Sequence, residues 1–410
     1  MNLARQFGRL LLLAPICLLA ATLGAQPDKD KKPAPLPPIN PAVARLVETF
    51  SDLDGPAFDL AAGDDDTIAV ACEHGSIQLY RKVVEKEPIK DTKDAKDVVK
   101  DAKDAKKDGK DAKDARDAKK DAKDVKDAKA GKDKQEPVAM KPAVWVKGEI
   151  LKGHQGPVVA LAWNGGPIMA SAGADKKIIF WKMPEGKPMQ NVPVAGRLRC
   201  LAMSKDGKWL ASAGEEGEIQ LWDVAGAKPG SKLVDHKDWV LCLTFNAESK
   251  QLASGSIDGT IKIWDVAGAK KVADWPFKPP LDKKTAPPDP VPVRSLAFAP
   301  DGKTLCYGTA DGPIHVLNNP GDGKSIRTLA GHTSAVTAIH FHPSGTLMAT
   351  SSKDRTVLLW NPAQPAPLKK LEGHTAWVEG LAFLNHGQQI ASAGADQTTR
   401  LWNLTEPKKK

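Results

Sequence analysis

The chain has 410 residues, with 41% hydrophobic and 27% charged side chains and a formal net charge of +9. That length holds one large all-β domain or two ordinary ones. The positive charge is spread over the first residues, a Lys/Asp tract and the tail Lys408-Lys409-Lys410; no stripe of Lys and Arg concentrates it, which argues against nucleic-acid binding.

In chain order, residues 1–25 read as a secretory signal peptide. Arg5 and Arg9 precede an apolar run over 10–23, and Gly24-Ala25 supply small residues for cleavage after Ala25. An uncleaved anchor is the alternative, although the run is short for a membrane span. Ile16 ahead of Cys17 does not suit a lipoprotein site, and no later segment is apolar enough to cross a bilayer. Export to a periplasmic or secreted location permits disulfides. Of the remaining cysteines, Cys72, Cys200, Cys242 and Cys306, none has CxxC spacing, and each sits in an apolar strand-like run. Four buried thiols are expected, with a Cys200–Cys242 bond left open because both hold the same place in successive repeats.

Residues 26–42 form a Pro/Lys-rich spacer, and a strand-like run follows at 43–50. Residues 67–80 (TIAVACEHGSIQLY) match residues 209–222 (WLASAGEEGEIQLW), with Tyr80 in place of Trp222. Residues 85–141 are a low-complexity insertion, built over 90–134 from Lys-Asp-Ala triplets that cannot bury a core. A disordered or fraying solvated helix is expected there, and contact with an anionic polymer is the alternative. Strand-like runs bounded by Asp-Gly and Pro-Ser-Gly turns then continue to residue 404, and residues 405–410 form a basic tail.

One frame recurs through this array, with neighbouring copies about 42 residues apart. Gly-His is followed by a strand-like run, an Asp, and a Trp six residues later. The copies are His154, Asp175, Trp181; His236, Asp258, Trp264; His332, Asp354, Trp360; and His374, Asp396, Trp402, with Asp235 replacing the Gly before His236. Trp222-Asp223 and Trp264-Asp265 are Trp-Asp pairs, and Trp360-Asn361 and Trp402-Asn403 are near variants.

With these motifs the chain resembles the WD-repeat β-propeller family, in an exported, bacterial-type form. The resemblance implies an all-β, seven-bladed propeller over 43–404 with four-stranded antiparallel blades. It also implies four structural tetrads: His154, Ser171, Asp175, Trp181; His236, Ser254, Asp258, Trp264; His332, Thr350, Asp354, Trp360; and His374, Ser392, Asp396, Trp402. Three units depart from the pattern. One has Val194 and Glu216 for His and Asp; another has Tyr307 and Leu317 for Ser and Trp; the first has His74 at the Asp position and Tyr80 at Trp. The last unit lacks an outer strand, so residues 43–50 are expected to close the ring against 399–404. The insertion at 85–141 would then lie on the bottom face and the Pro-rich stretch 276–292 on the top face.

Repeated Ser, His and Asp invite a hydrolase reading, but four similar sets at repeat positions suit architecture better than one active site. No phosphate loop, HExxH or calcium loop is present. His340 and His342 flank Phe341, and a solvated strand end suits them better than a metal site. The surviving signal is a surface: Trp239 and Trp377 each follow a repeat His by three residues, Arg197 holds the same place elsewhere, and Lys353 precedes Asp354. The expectation is a non-enzymatic interaction scaffold of the cell envelope. It would bind a protein or peptide on the top face, as a monomer or within a hetero-complex, without cofactor, metal or nucleic acid. The alternative is a small-ligand binder or hydrolase-type enzyme using the central channel; the sequence shows no polar cluster there to favour it.

Overall fold

The second strand of each repeat is made of small side chains: Ile168–Gly173 reads IMASAG, Trp209–Gly214 reads WLASAG and Gln389–Gly394 reads QIASAG. Such a thin ribbon lets sheets pack closely on both of its faces. The computed structural model describes residues 38–63, 66–83, 143–276, 290–318 and 326–406. The expectations for the leader, most of the spacer, the 85–141 insertion, most of the Pro-rich stretch and the end of the tail lie outside the described residues.

The described strands form seven four-stranded antiparallel sheets. Their innermost strands, which number the blades one to seven, are Ala57–Ala62, Val158–Ala162, Leu198–Met203, Val240–Phe245, Val293–Phe298, Val336–Phe341 and Val378–Leu384. Each contacts the next, and Val378–Leu384 contacts Ala57–Ala62 to complete the circle. The outermost strand of blade seven is Arg45–Ser51, which pairs with Thr398–Asn403. It starts slightly later than the run at 43–50, because Pro41–Val43 forms a 3-10 turn capped by the Asn40 side chain.

The core is a ring of seven apolar clusters, one at each blade interface. One joins Ile178 and Phe180 of blade two to Leu210 and Trp222 of blade three; another joins Tyr80 of blade one to Ala391 and Leu401 of blade seven. No blade therefore buries its apolar faces alone.

Two backbone features position everything that follows. First, every innermost strand slips register after its first residue. The bulged residues are Phe58, Val159, Arg199, Leu241, Arg294, Thr337 and Glu379, and a bulge re-aims its side chain. Second, the turn joining the second and third strands holds one residue at positive φ in every blade, from 60° at Lys176 to 110° at Gly312.

Candidate functional site

The four frames close into hydrogen-bonded chains. In blade two, His154 Nδ1 donates to Asp175 Oδ1 at 2.9 Å, His154 Nε2 accepts from Ser171 Oγ at 2.8 Å, and Trp181 Nε1 donates to Ser171 Oγ at 2.8 Å. The same three links join His236, Asp258, Ser254 and Trp264 at 3.1, 2.7 and 2.8 Å. They join His332, Asp354, Thr350 and Trp360 at 2.7, 2.8 and 2.8 Å. In blade seven they join His374, Asp396, Ser392 and Trp402 at 2.9, 2.8 and 2.9 Å. Each Asp also accepts the backbone N–H of the residue after the His, as Asp354 does from Thr333. Burial alone would raise the carboxyls of Asp258, Asp354 and Asp396. Hydrogen bonds from His236, His332 and His374 overcome it and hold all three well below the ordinary carboxylate range. Burial keeps His154 below its usual value despite the Asp175 bond.

This arrangement holds a corner and offers no nucleophile. Ser171, Ser254, Thr350 and Ser392 are all fully buried, and each hydroxyl oxygen is occupied by an indole N–H. A substrate carbonyl cannot approach them.

The three departing blades substitute for the network differently. In blade one, Asp54 accepts from His74 Nδ1 at 3.1 Å and from Ser76 Oγ at 2.8 Å, while Phe50 stacks on Tyr80 at 4.4 Å. Blade three keeps only the Trp222-to-Ser212 bond, at 2.8 Å. In blade five, His315 stacks on Tyr307 with centroids 4.8 Å apart.

The repeats carry different side chains at the channel mouth, on the face where the innermost strands begin. Here a cavity of about 770 Å³ is lined by Phe58, Asp59, Arg199, Trp239, Arg294 and Glu379, among others. Arg199 lies over the Trp239 ring at 5.0 Å and pairs with Glu215 at 3.0 Å. Lys353 Nζ lies 3.8 Å over Trp377, which is 51% exposed, and 3.9 Å from Glu379. Burial raises the Glu379 carboxyl, and the charges of Lys353 and Arg294 oppose that rise. Asp59 accepts the N–H of Leu161 from the next blade at 2.8 Å; burial pushes its carboxyl up to about 7.

Of the residues singled out from the sequence, Trp239 and Lys353 line this cavity and Trp377 stands beside Lys353 at its rim. Arg197 does not join them, because it lines a separate cavity in blade three. The mouth also carries the polar cluster that sequence reading did not find: Arg199, Arg294 and Glu379 are bulged residues, marked only by their place in each repeat. His340 lines the channel cavity, whereas His342 is buried, 2.7 Å from Ser344 Oγ through Nδ1, and is no solvated strand end. Cys200 and Cys242 are free and buried. Equivalent positions in adjacent blades point each thiol at the following blade: Cys200 Sγ donates to Val240 O at 3.7 Å and Cys242 Sγ to Val293 O at 3.6 Å. Ser295 makes the same link to Val336 O at 3.0 Å.

Five segments, 145–182, 186–223, 227–265, 323–361 and 365–403, match the WD40 family (WD domain, G-beta repeat). The chain thus carries five WD40 repeats within a seven-bladed propeller; the inner strands of blades one and five lie outside the matches. Among its relatives, nuclear distribution protein nudF of Aspergillus niger is 26% identical over 217 residues, covering 51% of this chain and 40% of that protein. Nuclear distribution protein PAC1 of Arthroderma benhamiae is 30% identical over 202 residues, covering 48% of this chain and 36% of that protein. THO complex subunit 3 of Arabidopsis thaliana is 25% identical over 211 residues, covering 50% and 61%. The chain therefore spans less than two thirds of the length of each relative. Among the described residues, no helix is long and apolar enough to cross a membrane.

Proposed function

We propose that this protein is a non-enzymatic interaction scaffold that docks a protein or peptide over the channel mouth. The carrying observation is the pair of cation-capped indoles, Trp239 under Arg199 and Trp377 under Lys353, at the rim of the channel cavity. Trp that solvent can reach, beside Arg or Lys, is the chemistry that anchors interfaces. WD40 propellers generally act as such scaffolds. Arg5, Arg9 and the apolar run at 10–23 support export, and hence a partner in the cell envelope.

A photocrosslinking residue at position 377, on the mouth, and another at Lys205, in an exposed turn after the innermost strand of blade three, test this in envelope extract. Discrete adducts should form from position 377 alone. Equal yield from both positions would sink the proposal. The alternative, a small ligand in the channel, is favoured by Asp59, Arg294 and Glu379 lining the same cavity. Native mass spectrometry of protein purified from its source would show the ligand as a fixed added mass.

A further inference from the structure

Blade three lacks two of the four network members; Val194, packed beside Leu198 and Trp222, and Glu216, against Gly196, stand in their places, and a cavity opens between them. Val194 stands four residues before Leu198, where His154 stands before Val158; Glu216 follows Gly214 by two, as Asp175 follows Gly173. The other half of the network is intact. Trp222 Nε1 donates to Ser212 Oγ at 2.8 Å, matching the 2.8 Å bond from Trp181 to Ser171. In the complete blades an imidazole Nε2 sits 2.7–2.8 Å from that hydroxyl. In blade three a cavity of about 300 Å³ takes the ring's place, lined by Val194, Gly196, Ser212, Gly214, Glu216 and Trp222. Ser212 is only 2% exposed, and its oxygen already accepts from Trp222, so its O–H is left to donate into the cavity. Exposed Arg197 and Glu216 rim the opening to solvent.

We propose that this gap is a binding slot for an imidazole ring supplied from outside the chain, as a histidine side chain or a free heteroaromatic. One ring nitrogen accepts the Ser212 O–H, and the opposite N–H faces the carboxylate of Glu216. That carboxylate sits one methylene farther from the backbone than an Asp would place it, as suits a ring entering from solvent. Four copies of the same geometry, each filled by the chain's own histidine, show that the half-network left in blade three is complementary to such a ring.

The test follows the indole N–H resonance of Trp222, assigned with Trp222→Phe, during titration of the full chain. The probes are 4-methylimidazole and a blocked Ala-His-Ala tripeptide. A five-atom ring held by two hydrogen bonds gives a Kd on the order of 1 mM. A saturable shift is expected in wild type, weakened at least tenfold in Ser212→Ala. The shift should be lost in Val194→His, whose own ring fills the slot; that variant should also unfold at higher denaturant. A response to both probes assigns the slot to a partner's histidine; a response to 4-methylimidazole alone assigns it to small heteroaromatics. No saturable shift in wild type, or an undiminished shift in folded Val194→His, overturns the proposal.

Discussion

Blades two, four, six and seven hold their corner turns with a complete His-Ser/Thr-Asp-Trp network, and blades one, three and five do not. The difference reaches the backbone. At the left-handed turn position the incomplete blades use Gly75, Gly217 and Gly312, whereas three complete blades use Lys176, Arg355 and Gln397 at φ of 60°, 72° and 61°. Only Gly259, in blade four, breaks the division. Left-handed backbone disfavours side chains and persists where the surroundings over-determine it. A saturated network supplies that determination; without it the turn residue must itself accept the conformation.

The division is broken most forcefully at the buried end of a network. Trp360 is fully buried, packs against Ile314 and Leu358, and donates to Thr350. Trp360→Ala should cost about 3–5 kcal/mol in chemical denaturation, through lost burial and the cavity left behind. A loss below about 1 kcal/mol would show that blade six does not depend on its network. Asp354→Ala comes next, at about 2–3 kcal/mol, because it strands His332 Nδ1, Thr333 N and Thr356 Oγ1. The matched change in an incomplete blade is Glu216→Ala, at an exposed position, and it should stay within about 0.5 kcal/mol. Equal losses at the two sites would erase the distinction between the blade classes.

Acid sharpens the same comparison, since three complete blades carry strongly depressed carboxyls. Asp258, Asp354 and Asp396 titrate lower in the folded chain than in the unfolded one. Their stabilisation is therefore full above the unfolded value of about 3.9 and is lost as pH falls below it. His154 is held neutral, so protons also favour unfolding below its unfolded value of about 6.5. Asp59, raised to about 7, works in the opposite direction between about 4 and 7. The denaturation midpoint should thus drop steeply below about pH 4, and Asp354→Asn should flatten the drop. A midpoint that stays level between about pH 5 and 3 would contradict the assignment.

The complete networks are legible in the chain because architecture repeats. His154, Asp175 and Trp181 recur at fixed spacing, and in the structure those side chains meet. The mouth is less legible because it varies from blade to blade. Arg199, Arg294 and Glu379 share no residue type with Phe58 or Leu241, and they align only as the second residue of each innermost strand. Comparing that one position across all repeats would have found them; searching for a motif could not. Equivalence misleads at Cys200 and Cys242, where a shared repeat position aims both thiols the same way around the ring and not at each other. Val194 in the histidine position is plain in the sequence, but the gap it leaves depends on which neighbours move in, and that is a matter of packing.

The smallest effects test the backbone half of the comparison and carry opposite signs. Gln397 holds φ of 61° beside Asp396, in a complete network. Gln397→Gly removes the side-chain penalty of that conformation but loosens the unfolded chain, so a gain of no more than about 1 kcal/mol is expected. Gly217, at φ of 70°, has the carbonyl oxygens of Asp238 and His236 3.1 and 3.2 Å from where a Cβ would stand. Gly217→Ala should therefore lose about 1–2 kcal/mol, since blade three has no network to hold the strained turn. Restoring the network should recover part of that loss. In a Val194→His, Glu216→Asp background the same Gly217→Ala change should cost measurably less in chemical denaturation. If the cost is unchanged there, the network does not stabilise the left-handed turn, and the glycines of blades one, three and five reflect only the close approach of the next blade's backbone.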